Sequence, residues 1–153
     1  MTRTERWIAI AVAVAGLGIA WWSFEATPTP PRLEDVASIS WSLTPRACID
    51  ERFQTTDKDS IARIIDAYGR MGGGWKTSQY LALTRGWFTA PSFPNTTLFR
   101  DKNGNSLHVL WFADELVGAR TFQGGRASDA YRQPTPELLA ALRGAKREPL
   151  KRC

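Results

Sequence analysis

One histidine, two cysteines and two methionines in 153 residues leave little material for the commonest site chemistries. A single imidazole, His108, leaves a histidine-based metal centre within one chain without its usual partners. Cys48 with His108 would make a nucleophile and a base, but no third group is positioned by sequence to orient them. Gly72 to Thr77 (GGGWKT) ends in Lys and Thr like a phosphate-binding loop, yet Trp75 stands where a glycine must let the backbone approach the phosphates, and a helix precedes it. No internal repeat is visible. Catalytic residues, metal ligands and cofactors are therefore not assigned.

What is abundant is apolar and aromatic. Hydrophobic residues make up 43% and charged residues 23%, with seven Trp and seven Phe, a globular mixture with an aromatic-rich core. The net charge of +5 is concentrated at the end: Arg143, Lys146, Arg147, Lys151 and Arg152 face only Glu148. Residues 144–153 read as a basic, solvated tail, and no specific nucleic-acid binding follows from it.

Trp7 to Phe24 is uncharged, preceded by Arg3 and Arg6 and followed by Glu25. At ~1.5 Å per residue this run makes about 27 Å of helix, close to the ~30 Å hydrocarbon core of a bilayer. Trp7, Trp21 and Trp22 occupy headgroup depths. The segment predicts a signal-anchor: residues 1–6 cytoplasmic, 7–24 a transmembrane helix in contact with lipid, and the rest exported. The expected address is the inner (plasma) membrane, with the C-terminal domain periplasmic or extracellular. Cleavage after Ala20, behind Gly18, is the competing reading. Residues 25–35 contain the proline-rich EATPTPPR, an extended spacer.

Residues 36–143 have room for one domain. Ile39 to Leu43 alternates as a strand. Thr56 and Asp57 offer caps to a helix carrying Ile61, Ile64, Ile65, Tyr68 and Met71 on one face, stopped by Gly72 to Gly74. Lys76 to Thr84 is rich in Thr, Tyr and Leu and predicts a strand. Thr96 to Arg100 and Ser106 to Ala113 flank Asn103-Gly104, whose positive torsions suit a tight hairpin, and Leu116 to Phe122 adds a third strand. Thr135-Pro136-Glu137 opens a final helix. The order β-α-β-β-β-α predicts an α+β domain with a mostly antiparallel sheet and its helices on one face.

Candidate contacts follow from residue type. Trp87, Phe88 and Phe93 lie in a proline-bearing segment, where rigid aromatics suit a contact surface. Arg126, Tyr131 and Arg132 fall in the segment from Gln123 to Pro134, read as a loop whose cations would grip an anionic group beside a stacking ring. Cys48 and Cys153 form a candidate disulfide in an oxidising compartment; an intermolecular bridge or free thiols are the alternatives. Asn95-Thr96-Thr97 is a glycosylation acceptor in form. These features predict an accessory module that binds another envelope protein. An envelope enzyme or small-ligand protein with a site assembled only by folding is the second reading, and a self-associating structural protein the third.

Overall fold

The computed structural model describes residues 2–24, 27–42, 52–77, 81, 95–112, 116–123 and 126–151, with the side chains of 19–24, 123, 126–128 and 150–151 left out of the description. The N-terminal run is helical, α1, Arg3–Phe24. Every described side chain from Thr2 to Gly18 is exposed, including Trp7, Ile8, Ile10, Val12, Val14 and Leu17. Among the described residues no helix is long and apolar enough to cross a membrane. The span expected over Trp7–Phe24 is thus present as a helix and is not supported as a span.

Residues 27–32, expected as an extended spacer, lead with Pro31 buried through a short 3-10 turn, Leu33–Asp35, into β1, Ser38–Trp41. β2, Arg52–Thr55, is followed by α2, Lys58–Gly69. The cap of α2 is Asp57, whose carboxylate accepts from the backbone N–H of Ser60 at 2.9 Å, a contact of the kind that contributes about 1 kcal/mol. Hydrogen bonding by Ser60, first through its side chain and then through its backbone N–H, holds the Asp57 carboxyl below its ordinary range. Ile61, Ile64, Tyr68 and Met71 are buried as their spacing requires, while Ile65 is partly covered. On the wet face Asp66 pairs with Arg70, and Arg63 turns instead to the Ser60 hydroxyl.

β3 (Asn95–Arg100), β4 (Ser106–Phe112), β5 (Val117–Gln123), β6 (Arg126–Arg132), α3 (Pro136–Arg143) and β7 (Glu148–Lys151) complete the domain. All pairings are antiparallel, in the order β6-β5-β4-β3-β1-β2-β7. The α+β class with a mostly antiparallel sheet holds. The element order among the described residues is β-β-α-β-β-β-β-α-β, in place of the expected β-α-β-β-β-α.

Three expectations change. Of the segment Lys76 to Thr84, expected as a strand, the described residues are Lys76, Thr77 and Leu81: Lys76 makes one isolated bridge to Tyr131, and Leu81 is helical, its N–H donating to the Thr77 carbonyl. The segment read as a loop from Gln123 to Pro134 contains β6. The tail read as solvated pairs with β2 through Glu148 and Pro149.

The hairpin joining β3 and β4 forms with different torsions from those expected. Only Gly104 has a positive φ, 84°, and Asn103 does not. The Gly104 N–H donates to the Asp101 carbonyl and the Asp101 N–H to the Asn105 carbonyl, while the pairing slips between Phe99 and Arg100. A turn closed by a left-handed glycine at a bulge fits this pattern, and Gly is the residue that takes such a torsion without a Cβ clash.

α2 and α3 pack against each other and cover one face of the sheet. Ile39, Trp41, Phe99, Leu110 and Val117 meet Ile61, Ile64, Tyr68, Leu138 and Leu142 there. The Ser60 hydroxyl also accepts from the backbone N–H of Lys146 at 3.0 Å, tying the chain after α3 to the first turn of α2.

Candidate functional site

Side chains alternate across a strand, so burying Ile39, Trp41, Phe99 and Leu110 under the helices sends Ser38, Ser40, Leu98 and Val109 to the opposite face. Cross-strand partners share a face. Register therefore lays out one row, Glu148, Gln54, Ser40, Leu98, Val109, Arg120 and Asp129, from β7 to β6. A second row contains Thr96, Trp111, Gly118 and Tyr131. This second face is polar over β1 and β2, apolar in its centre and ionic at β5 and β6; Ser40, Val109 and Tyr131 on it are buried, and Leu98, Trp111, Arg120 and Asp129 are partly covered.

At the ionic end Arg120 meets Asp129 through two parallel hydrogen bonds, Nε to Oδ1 and Nη2 to Oδ2, each 2.7 Å. Its guanidinium lies 4.9 Å from the Trp111 ring centroid. The bond to Asp129 raises the Arg120 pKa above its ordinary value. A Cβ on Gly118 would come within 3.0 Å of both the Trp111 and Tyr131 rings, so the two aromatics close over the glycine. With each charge satisfied by the other, this end is a fixed surface rather than an open grip.

At the polar end a cleft of about 490 Å³ is lined by Ala37, Ser38, Ser40, Arg52, Gln54, Thr56, Arg100, Asp101, Lys102 and Gly104. Ala37 and the β1 serines form its floor, β2 one wall, and the end of β3 with the hairpin turn the other. Asp101 is occupied within that turn: Oδ1 accepts from the N–H groups of Asn103 and Asn105 at 2.8 Å, and Oδ2 from the Asn105 amide at 2.9 Å. These bonds, led by the Asn105 side chain, lower its pKa, so it stays ionised. Three cations against one committed carboxylate leave the cleft electropositive. A neighbouring depression of about 340 Å³ shares Ala37, Asp101 and Lys102 and adds Glu34, Asp35 and Leu107.

The contact residues read from sequence fare unevenly. Trp87, Phe88 and Phe93 lie outside the described residues, as do Cys48 and Cys153. Arg126 lies on β6, its side chain outside the description. Tyr131 is 2% exposed and packs with Leu81 and Leu116, a setting that raises its pKa mainly by burial. Arg132 points to the helical side: Nη1 donates to the Met71 carbonyl, to the Gly73 carbonyl at 2.8 Å and to that of Gly72 at 3.4 Å, and the guanidinium lies 5.9 Å from the Trp75 ring centroid. The structure does not bring Tyr131 and Arg132 together as an anion grip. Arg132 supplies positive charge and donors to the carbonyls released where α2 ends, a favourable pairing with the helix dipole. Arg132→Ala should cost about 2 kcal/mol in denaturant unfolding, within the range for hydrogen bonds to charged groups. Arg132→Lys, keeping the charge but not the fork, should recover part of it; a neutral Arg132→Ala would contradict the capping role.

Among the described residues no group of three or more His, Cys, Asp or Glu converges to hold a metal ion. His108 is buried on the helical side, edge-on to Tyr68 and Phe99 at 6.1 and 6.3 Å between centroids. The cleft was not flagged from sequence, because its residues come from three strands and a turn. The alternation placing Ser40 opposite Ile39 and Trp41 was the available signal. Against known protein families, curated proteins and solved structures, neither the sequence nor the fold finds a match.

Proposed function

We propose that this chain is a membrane-tethered binding module, in which α1 enters a bilayer as a single-pass anchor and the sheet domain lies on the exported side. The observation that carries the reading is the uncovered helix: Ile8, Ile10, Val12, Val14 and Leu17 are 59, 53, 66, 63 and 71% exposed. Leaving five such side chains in water forgoes on the order of 10 kcal/mol of burial free energy. The whole of α1, 22 residues, is about 33 Å long, and its sequence stays uncharged from Trp7 to its end. Arg3 and Arg6 ahead of the run favour a cytoplasmic N-terminus. The partner in this reading is another component of the cell envelope, met through the polar end of the sheet over β1 and β2 and the segment bearing Trp87, Phe88 and Phe93.

Fractionation tests the anchor. Full-length protein should stay with membranes through an alkaline carbonate wash, and the double variant Val12→Lys, Val14→Lys should move substantially to the supernatant. A reporter active only outside the cytoplasm, fused after Cys153, should be active. Recovery of uncut wild-type protein in the detergent-free soluble fraction overturns the proposal.

The cleft over β1 and β2 favours a second reading of the same domain as a small-ligand protein, because polar groups from separate strands converge on a space of ligand size.

A further inference from the structure

From the cleft we infer a binding site for a phosphorylated sugar or polyol, either free or carried as the headgroup of a lipid. The inference rests on the domain being a binding module and is independent of the anchor.

Three features select this chemistry. The first is charge: Arg52, Arg100 and Lys102 stand around a single carboxylate, Asp101, whose oxygens are occupied by the Asn103 and Asn105 donors. Arg52 and Lys102 are exposed. Arg100 uses Nη1 to reach the Gly104 carbonyl at 3.1 Å, which holds its guanidinium against the turn with other N–H groups still available. Arginine forks suit the oxygens of a phosphate, and a lysine adds a point charge.

The second feature is the floor. Ser40 is 7% exposed and lines the cleft, its hydroxyl making no hydrogen bond to a described residue. Register sets Ser40 beside Gln54 on β2, and Ser38 beside Arg100 on β3, so hydroxyl, amide and guanidinium alternate over neighbouring strands. Hydroxyls and amides both donate and accept, matching a polyol, whose hydroxyls do the same.

The third feature is the composition of the lining. It contains no aromatic residue and only Ala37 as an apolar side chain. A nucleobase would want a stacking ring and an acyl chain an apolar wall; neither is present. The volume accommodates a sugar with its phosphate and retained water. The carboxylates of Glu34 and Asp35 lie in the adjoining depression beyond Lys102, which disfavours extension of an anion in that direction.

The test uses the full chain in nonionic detergent, titrated calorimetrically with glucose 6-phosphate, glucose, inorganic phosphate and a short-chain phosphatidylglycerol below its micelle concentration. Amide shifts in an isotope-labelled sample locate the contact. At least one of the two phosphorylated polyols should bind at least 10-fold more tightly than glucose or inorganic phosphate, with shifts at Ser38, Ser40, Gln54 and Arg100. Binding should weaken with salt. The double variant Arg52→Ala, Lys102→Ala, both at exposed positions, should lose at least 10-fold in affinity with an unchanged near-ultraviolet circular dichroism spectrum. Preference for the sugar phosphate identifies a soluble ligand, and preference for the lipid a headgroup. The inference is overturned if neither phosphorylated polyol binds, if inorganic phosphate binds as tightly, or if the double variant binds unchanged. Capture of an envelope partner by crosslinking in that event would leave the binding-module reading standing without this ligand.

Discussion

Alanine at Phe99 should lower the unfolding free energy by about 3–5 kcal/mol, whereas alanine at Leu98, its neighbour in β3, should cost roughly 1 kcal/mol. Phe99 is fully buried, with its ring 6.1 Å from that of Tyr68 and 6.3 Å from that of His108, in the layer between sheet and helices. Removing it opens a cavity that three elements cannot collapse together. Leu98 sits on the face away from the helices and is only partly covered. A domain of this size has ~5–15 kcal/mol in total, so the Phe99 variant should approach the unfolding threshold. Urea titration followed by tryptophan fluorescence measures both; equal losses at 98 and 99 would overturn the facing of β3.

The second large effect concerns pH. His108 is 5% exposed, and among the described residues neither its Nδ1 nor the nearby Tyr68 hydroxyl has a hydrogen-bond partner. Burial lowers the His108 pKa to about 4 and raises that of Tyr68 beyond its ordinary value. The unfolded chain takes up this proton near pH 6.5, the folded one only near 4. The stabilisation associated with neutral His108 is therefore complete above about pH 6.5 and is lost progressively as pH falls to about 4. Some 3 kcal/mol is at stake over that window, from ~1.36 kcal/mol per unit of pKa. His108→Leu should remove this part of the pH dependence and leave the steeper loss at lower pH, where Asp57 and Asp101, both with depressed pKa values, become protonated. An unchanged stability profile between pH 6.5 and 4 in the leucine variant would contradict the assignment.

Elements with strong local signals were legible in the sequence. α2 carries its cap and its apolar face within fifteen residues, the hairpin carries Asn-Gly between two strand-forming runs, and β4 (SLHVLWF) is apolar on both faces, as befits a strand inside the sheet. The strands that were missed are short or lie towards the borders of the sheet, where one side chain in two faces water. Arg52–Thr55 has a single apolar residue, Phe53, and Glu148–Lys151 contains Pro149, which cannot donate to a ladder and so belongs at an edge. Arg126–Arg132 hid its alternation because its inward residue, Ala130, is small, while the larger Tyr131 faces the other way. Proline and polarity, which argue against a strand in isolation, here describe how the sheet's borders are finished.

The candidate site was less legible than the fold for a related reason. Arg132 looked available because sequence cannot reveal that a backbone turn sixty residues earlier lies within reach of its guanidinium. Ser38, Gln54 and Arg100 looked unremarkable because only the register of β1 between β2 and β3 makes them neighbours. Local pattern determines which way a side chain faces, but meeting partners depends on strand order, and nothing within one strand specifies that order.

The spacer from residue 27 runs into β1, which lies between β2 and β3 and is hydrogen-bonded to both. In the tethered arrangement proposed above, tension arriving along the N-terminal segment would act on a strand held on its two flanks. Loaded in shear, the two ladders share the strain and yield together, whereas a border strand would peel one rung at a time. The attachment point is where a domain subject to pulling would resist it best.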